Sequence, residues 1–202
     1  MAENDRLPPD FLATARRIDA TNAWFTYLAA PTDAKTAVKI TTRTSKRVVG
    51  KIVYEEAHTW EILDQARLDR AMALLVAARN QPKCMDYSAA MLRKRIPLLR
   101  ERTFTEQLDA VSCLAETSTF YSLGLLRLAQ AIAAKACSWA ESGDVPGFEQ
   151  ISVDAELFIR GICSDENAAL VDEMGKSIMV STLAGSFSSA AETLGREHDV
   201  AR

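Results

Sequence analysis

Along most of this chain, apolar residues recur at the three-to-four-residue interval of an amphipathic helix rather than the two-residue interval of a strand. The longest run starts at Phe104. Leu108, Val111, Ala115, Ser118, Ser122, Leu125, Ala129, Ile132, Ala136 and Trp139 follow at alternating steps of four and three, and none is charged. Thr103-Phe-Thr-Glu106 at its front is a capping box. The Thr103 hydroxyl can accept an amide N–H of the first turn while Glu106 reaches back to the cap. Gly143 stands where a left-handed C-terminal cap is wanted. The spacing predicts one helix over about 104–141, roughly ten turns at ~3.6 residues per turn. Leu114, Tyr121, Leu126 and Leu128 widen its apolar stripe beyond a two-stranded seam, which predicts the central member of a bundle.

Shorter stripes surround it. Pro8-Pro9-Asp10 predicts a helix start, and Phe11, Ala15, Ile18, Asn22 and Phe25 carry that helix to Pro31. Ala34 to Thr42 is polar, Thr-rich and weakly helical in pattern. Val49, Ile52, Val53, Ala57 and Trp60 form a helical stripe that Leu63, Arg67, Ala71, Leu74 and Ala78 extend to Asn80-Gln81-Pro82. The β-branched residues between Val38 and Val53 also suit a small hairpin, so 34–53 stays open between the two. Asp86 caps a short basic helix that ends near Pro97. After the turn Asp144-Val-Pro-Gly147 come Phe148, Ile151, Ala155, Phe158 and Ile162. The last stripe holds Val171, Met174 and Ile178, then Val180, Leu183, Phe187, Ala190 and Leu194, and Gly195 ends it. The expected fold is all-α: a bundle of six or seven helices around a long central helix. It forms a single helical domain over 1–195, with 196–202 as a frayed C-terminal tail.

Composition narrows the class of molecule. A chain of 202 residues suits one domain with a full core, and 48% apolar with 25% charged residues is an ordinary globular mixture. The N-terminus has no basic segment leading into an apolar run, so no signal peptide is expected. The longest uncharged stretch, Ser177 to Ala191, is short for a bilayer span of ~20 residues. The expected location is cytoplasmic. Cys84, Cys113, Cys137 and Cys163 contain no CxxC spacing and read as reduced thiols, with no metal site.

Charge is unevenly divided. Residues 1–102 hold 18 Lys and Arg against 12 Asp and Glu, and residues 103–202 hold 6 against 15. Either the two halves attract each other across the fold, or the first half offers a basic face to an acidic partner.

Tests for chemistry come back negative. Gly175-Lys176-Ser177 resembles the end of a phosphate-binding loop, but the glycine needed five positions earlier is Leu170. Glu55-x-x-His58 is one Glu-x-x-His pair, whereas a di-iron bundle needs two, and the only other histidine is His198. No GxSxG elbow or SxxK is present. Phe120-x-x-Leu123-Gly124 has no second copy at a 34-residue period to make a helical repeat. No catalytic residue, metal ligand or cofactor is therefore assigned.

Two surfaces remain as candidates. Lys35, Lys39, Arg43, Lys46, Arg47 and Lys51 are interleaved with Thr and Ser, the side chains that neutralise and hydrogen-bond phosphates. Asp33 to Val53 has the length of a helix-turn-helix with 45–53 as its second helix, although no glycine stands in the turn. Arg93, Lys94 and Arg95, with Arg100 and Arg102, could extend this face. Ser177, Ser181, Gly185 and Ser189 form a row of small residues four apart, which allows another helix to come close. The expected function is a non-catalytic helical protein–protein interaction protein: an adaptor, chaperone-like protein, inhibitor or assembly factor. The expected partner is another protein or a second copy in a homo-oligomer. The alternatives are a helical nucleic-acid-binding regulator using 35–51, and a secreted effector exported without a signal peptide.

Overall fold

Seven helices and one two-stranded antiparallel ribbon make up the described part of the computed structural model, residues 7–49, 51–87, 94, 103–164 and 170–195. In chain order they are α1 (Phe11–Asp19), α2 (Ala23–Ala29), α3 (Pro31–Ala37), β1 (Val38–Val49), β2 (Lys51–Ile62), α4 (Gln65–Arg79), α5 (Phe104–Ser142), α6 (Val145–Cys163) and α7 (Leu170–Thr193). The fold is helical, with the long helix α5 packed against the others, as its stripe predicts.

The ends of α5 are set by local chemistry. Thr103 Oγ1 accepts from the Glu106 amide at 3.4 Å, and Glu106 Oε2 accepts from the Thr103 amide at 2.9 Å. At the other end Gly143 adopts φ 72°, a left-handed conformation that residues with a Cβ seldom take. From Leu125 to Ala140 no residue of α5 is exposed, and Ala131, Ile132, Ala133 and Ala134 are all buried. Only a helix covered all round buries four consecutive residues. Its first turns differ, because Phe104 and Leu108 are exposed.

Much of the remaining core comes from Leu68, Ala71, Met72, Leu75 and Ala78 of α4, and from Phe148, Ile151, Ala155, Phe158 and Ile162 of α6. Alanines recur at these contacts, and small side chains let helix axes approach closely. All five positions of the predicted stripe in α6 are buried. Asp144 caps that helix by accepting from the Gly147 amide at 3.0 Å.

Three expectations need correction. The first stripe is two helices, α1 and α2, not one. Buried Asn22 interrupts it, capping α2 by accepting from the Trp24 amide at 3.2 Å while bonding to Met85 through both side-chain groups. Pro31 starts α3 instead of ending a helix, since its fixed φ and missing N–H suit the first helical position.

The largest correction concerns 54–62, expected in a helix: of the two forms left open for 34–53 the hairpin is the one taken from Val38 on, and it continues as a β-ribbon in register from Val38↔Ile62 to Val49↔Lys51. The strand VKITTRTSKRVV is dominated by β-branched residues, which lose side-chain freedom in a helix and suit a pleated surface. The helix-turn-helix reading falls with it, because 45–49 and 51–53 are strand. The stripe carried through Trp60 into α4 holds only in part: Ala71 and Ala78 are buried and Leu74 packs on the core, but the line through Arg67 misses the main one. Leu68, Met72 and Leu75 face the core, whereas Leu63 is exposed.

The third correction lies in α7. Its buried line is Met179, Leu183, Ser186 and Ala190, while Met174, Ile178 and Val180 are exposed. The short basic helix expected after Asp86, and the tail 196–202, fall outside the described residues except for Lys94.

Candidate functional site

The small-residue row lies on the outer side of α7. Ser177, Ser181, Gly185 and Ser189 are all exposed, and a Cβ built on Gly185 meets nothing within 4 Å. No helix of the described bundle fills this groove. Ile178 and Val180 are exposed beside the row, 52% and 39% respectively, and Met174 lies one turn earlier. The face carries no charge from Ser177 to Ser189. Its rim does: Lys176 pairs with Glu173 at 3.0 Å before it, and Glu192 follows it. An uncharged centre with a polar rim is the usual anatomy of a protein contact. Sequence spacing located the row but placed Met174 and Ile178 in the core. The usable signal was the alternative line from Met179 to Ala190, which keeps the same spacing one residue further on.

The basic residues are divided among elements. Lys35 lies exposed in the last turn of α3. Lys39, Arg43, Lys46 and Arg47 are on β1, and Lys51 begins β2. Lys39 pairs with Glu61 across the ribbon at 3.6 Å, with both side chains largely exposed. Lys94 is exposed, while Arg93, Arg95, Arg100 and Arg102 lie outside the described residues. Across the two halves of the chain, Arg79 pairs with Asp154, but Lys135 pairs with Asp69 in the opposite sense. Attraction between a basic and an acidic half therefore receives mixed support.

Structure also disposes of the fragments of chemical motif. Gly175-Lys176-Ser177 is interior to α7, so its amides belong to a helix and not to a phosphate loop. Glu55 and His58 are three apart on a strand, which puts them on opposite faces. Among the described residues no three His, Cys, Asp or Glu side chains gather as metal ligands, and no helix is long and apolar enough to cross a membrane.

The strongest polar cluster was not legible in the sequence. Asp19 accepts from Lys83 Nζ at 2.7 Å and from the Tyr87 hydroxyl at 2.5 Å, and Thr21 donates to it as well. Hydrogen bonds from Lys83 and then Tyr87 hold the Asp19 carboxyl below the usual carboxylate range, and the same bond to Asp19 raises Lys83. A carboxylate and an ammonium locked in their charged forms tie α1 to the segment after α4. That arrangement suits a structural clasp and not proton transfer at neutral pH. The partners are 64 residues apart, and no local spacing announces them.

The cysteines are poor nucleophiles where they are buried. Burial, helped by the charge of Asp86, pushes the Cys84 thiol up to about 12; burial, helped by Glu141, pushes Cys137 up to about 11. At pH 8 on the order of a thousandth or less of either is thiolate, the reactive form. Cys163 is exposed. Alkylation of the folded chain at pH 8, read by peptide mass mapping, is expected to label Cys163 well before Cys84 and Cys137. Simultaneous labelling of all three would contradict the burial of the latter two.

Comparison with protein-family models, curated proteins and solved structures found no match. The class defined by the fold is a helical bundle with an attached β-ribbon, and its surfaces must be interpreted on their own physical terms.

Proposed function

We propose that this protein acts without catalysis, as a helical interaction protein that associates with another protein chain through the outer face of α7. Adaptors, inhibitors and assembly factors work in this way. The observation that carries the reading is the exposed, charge-free face from Ser177 to Ser189. Covering Ile178, Val180 and Met174 removes apolar area from water, worth ~25 cal/mol per Å². The small row beside them lets a partner helix lie close and gain dispersion contacts over about three turns, at ~3.6 residues per turn. A second copy of this chain and a different protein both meet that requirement.

Gly185→Leu tests the reading. The new side chain enters open space in the isolated fold, and leucine is preferred to glycine within a helix by roughly 0.5–0.8 kcal/mol. Thermal stability is therefore expected to hold or rise. On the same sample, light scattering should show a smaller assembly if the partner is a second copy. If the partner is another protein, mass spectrometry should show it copurifying with the wild type and released by the variant. A monomeric wild type from which the substitution releases nothing overturns the proposal.

A further inference from the structure

Register sorts the basic residues of the ribbon in a way that the helical reading could not. Residues opposite each other in an antiparallel pair share a face, and neighbours along a strand alternate. Lys39, Arg43 and Arg47 of β1 and Lys51 of β2 fall on one face, with Thr41, Ser45 and Thr59 between them. Lys46 falls on the other, together with Val38, Ile40, Trp60 and Ile62. At the base of the ribbon this second face packs on the helical core through Val38, Trp60 and Ile62. Lys39, Thr41, Thr59 and Glu61 are exposed there, whereas Val38, Ile40, Trp60 and Ile62 are half-buried. At the base of the ribbon, the face that Lys39 shares in register with Arg43, Arg47 and Lys51 is thus the one away from the core.

We propose that the ribbon is a DNA-binding arm, laying the face that carries Lys39, Arg43, Arg47 and Lys51 against the phosphate backbone of duplex DNA. A two-stranded ribbon fits the major groove, which is ~12 Å wide. Each strand of twelve residues spans about 40 Å at ~3.4 Å per residue. The β1 cations recur every fourth position, about 13–14 Å apart at the same rise, with hydroxyl-bearing residues between them. A line of charge this long matches an extended polyanion better than a compact acidic patch. Hydroxyl and cationic residues are also the groups that contact phosphate. Glu55 and Glu61 share the face and oppose an anion. The exposed Lys39–Glu61 pair is of the kind worth about 0–1 kcal/mol, which a phosphate can displace.

Fluorescence anisotropy of the full chain with a labelled duplex of about 25 base pairs, longer than the arm at ~3.4 Å per base pair, tests this. Binding at low salt is expected, with affinity falling as salt rises by ~0.9 in log–log slope per phosphate contact, roughly 2.7–3.6 for three or four contacts. The combined Arg43→Ala, Arg47→Ala and Lys51→Ala variant should lose roughly 2.7 of that slope, since each cation accounts for ~0.9. Lys46→Ala should leave binding unchanged, and Glu55→Gln should tighten it. The wild-type salt slope is informative even if the triple variant folds poorly. Absence of duplex binding at low salt, or equal losses from Lys46→Ala and Arg47→Ala, would overturn the proposal. So would tighter binding to polyaspartate than to duplex, which would point to an acidic protein instead.

Discussion

Phe158→Ala is expected to lower the unfolding free energy by about 3–5 kcal/mol, the largest loss from any single substitution considered. The Phe158 ring is 0% exposed and meets Tyr27 edge to face at 5.2 Å between centroids. Ala23 and Tyr27 of α2 and Ile151, Ala155 and Ile162 of α6 belong to the same core. Truncation loses the transfer free energy of the ring and leaves a cavity, and the second term depends on how far the walls can close. They are held. A Cβ on Gly161, one turn further along α6, would stand only 3.2 Å from Cys84 Sγ, so the helix already lies as close to the 84 segment as side chains allow. On the other side Tyr27 is itself buried. Chemical denaturation measures the loss. Phe104→Ala is the control, because that ring is 74% exposed and its removal should change stability by no more than ~0.5 kcal/mol. Equal effects at the two positions would mean that α6 does not hold the centre of the core.

The two phenylalanines also show where sequence patterns are informative. Both begin or continue a stripe at helical spacing, and only one is buried. Periodicity identifies which residues of a helix share a face, but it does not identify what covers that face. In α5 the caps and the widened stripe were legible because the relevant contacts lie within four residues of each other. The phase of α7 was not, since Met174–Ile178 and Met179–Leu183 are both apolar lines and only the neighbouring helices choose between them. The ribbon was misread for a related reason. Val49, Ile52, Val53, Ala57 and Trp60 fit a helical wheel, yet strand pairing of β1 with β2 satisfies the same backbone groups at lower cost to β-branched side chains. The basic candidates were therefore found as a cluster, but their common face followed only from the register. The Asp19–Lys83–Tyr87 clasp had no sequence signal at all, because its geometry is created by the bridge between Asn22 and Lys83.

Arg79→Ala is expected to cost about 2–3 kcal/mol, somewhat below the ~3–5 of a fully buried ion pair. The difference arises from unequal burial: the Asp154 side chain is 2% exposed and the Arg79 side chain 36%. Asp154 accepts from Arg79 Nη1 at 3.3 Å and from Gln150 Nε2 at 3.2 Å. Without Arg79 the carboxylate stays buried among α4 and α6 with only a neutral amide to balance it. Arg79 also ends α4, where a cation favours the negative end of the helix dipole by about 0.3–1 kcal/mol. Asp154→Asn should cost less, because the guanidinium left behind reaches water. Replacing both, as Arg79→Met with Asp154→Leu, should recover much of the loss, since no charge is then left buried. The double-mutant cycle decides whether the pair acts as a unit. A coupling of ~1 kcal/mol or more supports this, while additive losses within ~0.5 kcal/mol would mean that water already solvates Asp154 and that the α4–α6 contact is held by Leu75, Ala78, Ala155 and Phe158 alone.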